Sequence, residues 1–165
     1  MRYTRAVGFE PVYNKESKAL FLGSFPSVKS RAVSFYYGNP QNRFWRTVCS
    51  FFEEEAGSTE EKRAFLLRHN LALWDIVTEC EIVGSSDSSI RVLSVADIPS
   101  LLNKTKISKI YCNGKKSYEL LLKYYPQLRE RAVCLPSTSP ANVRFFKEPW
   151  QSALNEIANT SEEQA

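Results

Sequence analysis

Asn39 and Asn42 stand three residues apart in GNPQNRFW (38–45), Asn113 opens NGK (113–115), and Ser137, Ser139 and Asn142 follow in PSTSPAN (136–142). Carboxamides and hydroxyls do not titrate usefully near neutral pH, so a site made of them is a poor source of protons. It can hold a water molecule and donate hydrogen bonds to negative charge that develops on a bound partner. That capacity suits a reaction in which a delocalised anion leaves while cationic character forms on a sugar. Separation of a nucleobase from deoxyribose has that character. Phe35, Tyr36 and Tyr37 run consecutively between Arg31 and Arg43, interrupted before and after by Pro26, Gly38 and Pro40. Such a loop can stack on a flat ligand near phosphate, or it can fold its rings over an edge of the core. The pattern leaves both readings open.

Other chemistries lack their residues. There is no Walker A lysine motif, no GxGxxG after the first apolar run and no GxSxG elbow. The sole histidine, His69, lies at the end of an expected helix and off all three polar stretches, which predicts a structural or solvated side chain. Cys49, Cys80, Cys112 and Cys134 contain no CxxC pair, so they are expected to be buried small residues, with neither disulfide, zinc nor iron–sulfur ligation. The His/Cys set of a zinc deaminase is missing as well. No metal and no cofactor are expected. A net charge of +4 permits a polyanionic partner. No apolar run approaches the ~18 residues of a membrane span, and Met1-Arg-Tyr-Thr-Arg does not lead into a secretory signal. The expectation is a monomer that touches no membrane and works in the cytoplasm, at the nucleoid if the cell is bacterial.

The elements that must position these groups follow from periodicity. Short apolar runs at 18–23, 71–74, 109–112 and 132–135 predict four strands. Phe44, Trp45, Val48, Phe51 and Phe52 make a helical stripe over 42–55, and Ser58 with Glu61 has the form of a capping box opening a helix to His69. Ser94 with Asp97 is expected to cap a short helix holding Ile98, Leu101 and Leu102. A further helix follows Lys115, with Tyr118, Leu121, Leu122 and Tyr125 on one face. Pro149 opens the last, with Trp150, Ala153, Leu154 and Ile157 inward. Residues 1–18 read as an arm, Gly84 to Ser89 as a flexible polar connection, and 160–165 as a frayed tail. Alternation of this kind predicts a three-layer α/β/α sandwich around a central, mainly parallel four-stranded sheet, within a single domain over 1–165. The polar stretches 23–42, 113–115 and 137–144 then lie beyond the carboxyl ends of strands, where such sheets bind ligands.

GSFPS (23–27), YYGNPQNRFW (36–45), LWD (73–75), NGK (113–115) and LPSTSPANVR (135–144) together resemble the uracil-DNA glycosylase superfamily. Within it the chain is most similar to the hypoxanthine-DNA (deoxyinosine) glycosylase branch, related to the mismatch-specific uracil/thymine glycosylases, from about Gly8 to Trp150. The resemblance implies DNA as partner and hydrolysis of the N-glycosidic bond of a deaminated base, hypoxanthine foremost, leaving an abasic site. Relatives carry GINPG where this chain has Phe25 in place of the water-orienting Asn. The resemblance therefore implies Asn42 as the water-positioning amide, with Asn39 the runner-up. It implies Tyr37 under the flipped base, Asn113 reading or positioning it, and Gly23, Ser24 and Phe25 around it. Guanine differs from hypoxanthine by its 2-amino group, so an apolar wall near C2 would exclude it, and Phe25 is the expected wall. Ser137, Ser139, Pro140, Ala141 and Asn142 match the loop that enters the duplex, the usual bulky wedge being replaced by Ala141 and Asn142. Arg43, Lys115 and Arg144, with Arg31, are the expected phosphate contacts. The competing readings are removal of uracil or xanthine, a non-catalytic binder of damaged DNA, and a small-ligand α/β domain.

Overall fold

A computed structural model describes residues 2–164, with side chains to Thr160. In chain order the elements are β1 (Thr4–Val7), β2 (Ala19–Gly23), α1 (Val28–Val33), α2 (Phe44–Phe51), α3 (Thr59–Arg68), β3 (Leu71–Asp75) and β4 (Val77–Ile82). They continue with β5 (Arg91–Val95), α4 (Ile98–Lys104), β6 (Lys109–Asn113), α5 (Lys115–Tyr124), β7 (Ala132–Leu135) and α6 (Glu148–Gln164). The expected parallel sheet is present in the order β3-β2-β6-β7. Every pair in it is parallel, with Ala19 beside both Leu71 and Lys109.

Side chains alternate across a strand, so each strand of this sheet feeds two cores. Ala19, Phe21, Leu71, Leu73 and Tyr111 pack on one side, where Phe21 stacks on Trp150 of α6 at 5.5 Å. Leu20, Leu22, Ala72, Ile110 and Cys112 face the other side, toward α4 and α5. Phe21, Leu22, Leu73 and Trp150 are wholly buried, each burial contributing about 1.5–3 kcal/mol. The inward face of α6 is the expected one. Ser58 caps α3 by accepting from Glu61 N, while the Glu61 carboxylate receives Gly57 N.

Several elements depart from the sequence reading. A second, antiparallel sheet of order β1-β4-β5 is present that was not expected; β1 falls in the expected arm, and β4 and β5 flank the expected polar connection. Its strands are short and β5 is largely exposed, so they lack the apolar runs that betray buried strands. Helix α1 follows Ser27, whose side chain accepts from Ser30 N, despite Pro26 next door. α2 ends at Phe51 rather than residue 55 because Glu53 turns to φ 54°. Asp97 alone caps α4, by accepting from Ser100 N, while Ser94 sits in β5. The buried face of α5 is centred on Ser117, Leu120 and Leu121, one step round from the expected one. Cys49, Cys80 and Cys112 are buried free thiols, but Cys134 is exposed on the edge strand β7. The backbone of α6 is helical to Gln164, where a frayed tail over 160–165 was expected; residue 165 lies outside the described residues.

Gly114 joins β6 to α5 at φ +98°, and a Cβ there would lie 3.0 Å from Cβ of Ser137. Gly114→Ala is therefore expected to cost about 1–3 kcal/mol, read as a lower urea midpoint at unchanged slope. An unshifted midpoint would contradict the role given to this turn.

Candidate active site

Strands β3, β2 and β6 end in a row. Gly23 is the register partner of Asp75, and Leu22 that of Cys112, which puts Asn113 on the far side of Gly23. The period of two points all three toward the α2/α6 face. Gly23 has no side chain, and the Asp75 carboxyl occupies the vacated space: a Cβ at Gly23 would lie 2.3 Å from Asp75 Oδ1 and 3.1 Å from the Tyr37 hydroxyl. The carboxyl is held from behind, since Ile76 N and Val77 N donate to the Gly23 and Ser24 carbonyls at 2.9 and 3.1 Å.

The three consecutive rings divide between the two readings open to them. Phe35 and Tyr36 are core residues; Phe35 stacks on Trp45, and the Tyr36 hydroxyl donates to the Glu10 carbonyl at 2.7 Å. Tyr37 adopts φ 53°, a strained conformation for an aromatic residue, and lies parallel to Phe44 at 4.3 Å. That turn carries it out of the core and into the wall of a cavity of about 250 Å³. The same cavity is lined by Gly23, Ser24, Phe25, Asn39, Asn42, Asn113, Ser137, Ser139, Pro140 and Ala141. Eleven of the sixteen residues expected at a site on sequence grounds thus meet in one space, and Arg31 is not among them. Asn142, Arg43, Lys115 and Arg144 lie outside its lining.

Hydrogen bonds show what holds these groups still. Asn113 is bonded twice to buried Thr138, donating to its hydroxyl at 2.8 Å and accepting from its N–H at 2.9 Å, which fastens β6 to the loop after β7. Asn42 Oδ1 accepts from Phe44 N at the start of α2, and Asn39 Oδ1 accepts from Gln41 N; each keeps its NH₂ group as a donor. Ser137 and Ser139 hydroxyls accept from the N–H groups of Ser139 and Ala141 and so brace their own loop. Asn142 donates to the Ser137 carbonyl at 2.9 Å.

Two of the expected phosphate contacts are turned inward. The Arg43 guanidinium donates to the Ser139 and Asn142 carbonyls, both at 3.1 Å, and lies 5.0 Å from the centre of the Phe145 ring. Arg31 donates to the Gly84 carbonyl at 2.8 Å across the face of Phe25. Both are clamps on loops, a use their sequence positions do not reveal. Lys115 and Arg144 are exposed. So are Val143, at 88%, and Phe146, at 55%, on the loop where a bulky apolar residue was expected to be missing. His69 stacks on Phe52 at 3.8 Å and meets Glu54 at 2.5 Å, ahead of the start of β3 and so at the far end of that strand from the cavity.

Sequence reasoning missed the carboxyls. Asp75 is buried in the cavity wall, and burial, then the charge of Asp87, push its carboxyl up to about 8. Asp87 reaches the cavity from the supposedly flexible connection, accepting from the Ser24 hydroxyl at 2.8 Å. Ser85 of the same turn accepts from Val28 N and joins it to α1. An aspartate closing the apolar run LALWD was the available signal, since a carboxyl at the carboxyl end of a buried strand is costly without a use.

Parallel strands, a cavity at their carboxyl edge, converging amides and a ring turned into that cavity define an α/β protein with one ligand-sized polar site, and comparison with known proteins gives its family. The sequence profile of the uracil DNA glycosylase superfamily matches residues 10–158, and the chain belongs to that superfamily. It is similar to the hypoxanthine DNA glycosylase of Methanosarcina acetivorans, 37% identical over 85% of this chain and 90% of that one. To the hypoxanthine DNA glycosylase of Methanosarcina barkeri it is 32% identical over the same shares. A solution NMR structure from Methanosarcina acetivorans, provisionally assigned as a uracil DNA glycosylase, superposes with a TM-score of 0.80 at 32% identity. The superposition covers 94% of this chain and 99% of that one.

The buried carboxyl has a thermodynamic signature. An unfolded Asp ionises near 3.9, while the folded Asp75 stays protonated to about 8, so between these values the unfolded state binds fewer protons. Stability from this group therefore falls as pH rises through that window, by at most about 1.4 kcal/mol per unit, and is level on either side. Asp75→Asn should gain on the parent protein steadily from about pH 4 to about pH 8 in urea melts. A gap that does not change with pH would show that Asp75 ionises freely when folded.

Proposed function

We propose that this chain is a DNA glycosylase that hydrolyses the N-glycosidic bond of deaminated bases, hypoxanthine first among them, and leaves an abasic site. The observation that carries the reading is the shared cavity: Tyr37, Asn39, Asn42 and Asn113 line one space on the scale of a nucleobase at the carboxyl edge of the sheet. The names of the two Methanosarcina relatives support hypoxanthine as the base.

A base must leave the stack to reach such a site, at a cost of a few kcal/mol that is least for a weakened pair such as inosine opposite thymine. Val143, the most exposed large apolar side chain of the loop 136–147, fills the gap the base leaves, taking the part that Ala141 is too small to play. Lys115 and Arg144 meet phosphates at the rim, with Ser137, Ser139, Pro140 and Asn142 shaping the approach. Inside, Tyr37 stacks on the base, its far side backed by Phe44. An N–H aimed at O6 accepts hypoxanthine and opposes the amino group of adenine, leaving buried donors unpaired at about 1–3 kcal/mol each. Phe25, buried and lining the cavity, is the wall beside C2. At the chemical step the sugar becomes oxocarbenium-like, Asn42 holds the water with Asn39 one turn away, and the Ser24 and Phe25 backbone N–H groups with Asn113 meet charge on the departing base. The same reading takes 1–165 as one domain that acts as a monomer in the cytoplasm.

Incubation of labelled duplexes, each bearing one deaminated base, followed by alkali tests this reading. Strand breaks at inosine ahead of uracil and xanthine are expected; binding without an abasic product on any substrate would contradict it. In single-turnover excision, Asn42→Ala should be slower by about 100-fold or more, and a parental rate would remove Asn42 from its assigned role. Val143→Ala should slow excision from inosine duplexes and spare excision from inosine in single strands, which need no wedge; equal effects on both would place Val143 elsewhere.

A further inference from the structure

Two polar atoms among the described residues are shielded in the cavity wall with no hydrogen-bond partner: Oδ2 of Asp75 and the hydroxyl oxygen of Tyr37. Unmade bonds of this kind destabilise the empty site, a cost that a bound ligand can lift. Both side chains converge over Gly23, whose missing Cβ leaves the room that the Asp75 carboxyl takes up. The amides of the cavity cannot surrender a proton. A carboxylic acid can.

Building on the reading that the chain excises hypoxanthine, we propose that Asp75 is a catalytic acid, whose carboxyl group passes its proton to N7 of the flipped base as the C1′–N9 bond breaks. The pair of electrons from C1′–N9 stays on N9, the pair from the O–H bond stays on Asp75, and the base departs as neutral 7H-hypoxanthine. The water held by the amides adds its oxygen to C1′. Its surplus proton returns through cavity water to the Asp75 carboxylate, which closes the cycle with no other reactant. Uracil has no imidazole ring to receive this proton, so the device favours purines.

The groups facing Asp75 keep it protonated. Asp87, held by Ser24 on the turn after β4 and opposed by Lys116 of α5, adds negative charge that disfavours a second anion. Tyr36 and Tyr37 on the loop before α2 are phenols kept protonated first by burial, so they set no charge beside the neutral acid. Cys112 on β6 is a buried thiol pushed up to about 12. The pH at which the Asp75 carboxyl gives up its proton, about 8, sets where the reaction should fade.

The test is single-turnover release of the base, from about pH 6 to about pH 10, by the parent protein and Asp75→Asn, on duplexes carrying inosine or its 7-deaza analogue. The parent rate on inosine should fall with rising pH at the alkaline end. Asp75→Asn should be slower by about 100-fold or more at the acid end and lack that fall. On 7-deazainosine, which has no N7 acceptor, the two proteins should agree within about threefold. Equal rates on inosine, a retained alkaline fall in Asp75→Asn, or the same loss on both substrates would overturn the proposal. Binding of a non-cleavable 2′-fluoro-inosine duplex reports folding of the variant. Should the variant not bind, the parent profiles alone decide: an alkaline fall on inosine only supports Asp75, and a fall on both substrates or on neither overturns it. A parent protein that releases no hypoxanthine at any pH refutes the glycosylase reading and this one with it, whereas release matched by Asp75→Asn refutes this one alone.

Discussion

A carboxyl group lodged where a side chain of Gly23 would have been is the constraint around which this protein is arranged. Register alone puts Asp75 and Gly23 side by side and on the same face, so the strand pairing that builds the core also fixes the acid. Any Cβ at position 23 would displace it. Because Tyr37 approaches the same point, the backbone at Gly23, the acid and the ring form one unit at the carboxyl edge of the sheet. The unfavourable features collect there: a buried acid, an unpartnered phenol and an aromatic residue at positive φ. Costs of this kind cluster at working sites, where surrounding structure holds them in place.

The loops around that unit are held by side chains that sequence inspection assigns to the ligand. Arg43 binds the carbonyls of the loop after β7, Arg31 binds the turn after β4, and Asn113 is bolted to Thr138. The Arg43 bonds are part-buried, and a guanidinium held on such carbonyls is worth more to the fold than one fully screened at the surface. The cavity is thus walled by loops cross-linked through hydrogen bonds, which suits preorganised donors that need not move as charge develops.

How much of this was legible follows from what each signal measures. The parallel sheet and its order of helices were readable because buried strands such as LFLG and LALW are continuous apolar runs. The antiparallel sheet was not, since VTECEI and RVLSV carry their polar residues on a half-exposed surface. Amides drew attention through their turn chemistry with Gly and Pro, and the cavity does gather Asn39, Asn42 and Asn113. Asp75 was passed over because a single carboxylate at a strand end looks like a solvated terminus, and only register shows that it is enclosed. Asp87 was hidden for another reason: Gly84 to Ser89 has the composition of a flexible linker, yet bonds to Ser24, Val28 and Arg31 make it a wall of the cavity. Of the three rings at 35–37, no pattern tells which one leaves the core; backbone φ decides, in favour of Tyr37.

The central claim is that the carboxyl edge of the sheet receives a purine turned out of DNA. It is tested most directly by a crystal structure with a duplex carrying one non-cleavable 2′-fluoro-inosine opposite thymine. The account predicts the hypoxanthine ring in the cavity, against Tyr37, with Asp75, Asn42 and Asn113 within hydrogen-bond reach of the base or of the water behind C1′. An inosine left stacked in the duplex, or a base lodged away from Gly23 and Asp75, would contradict it.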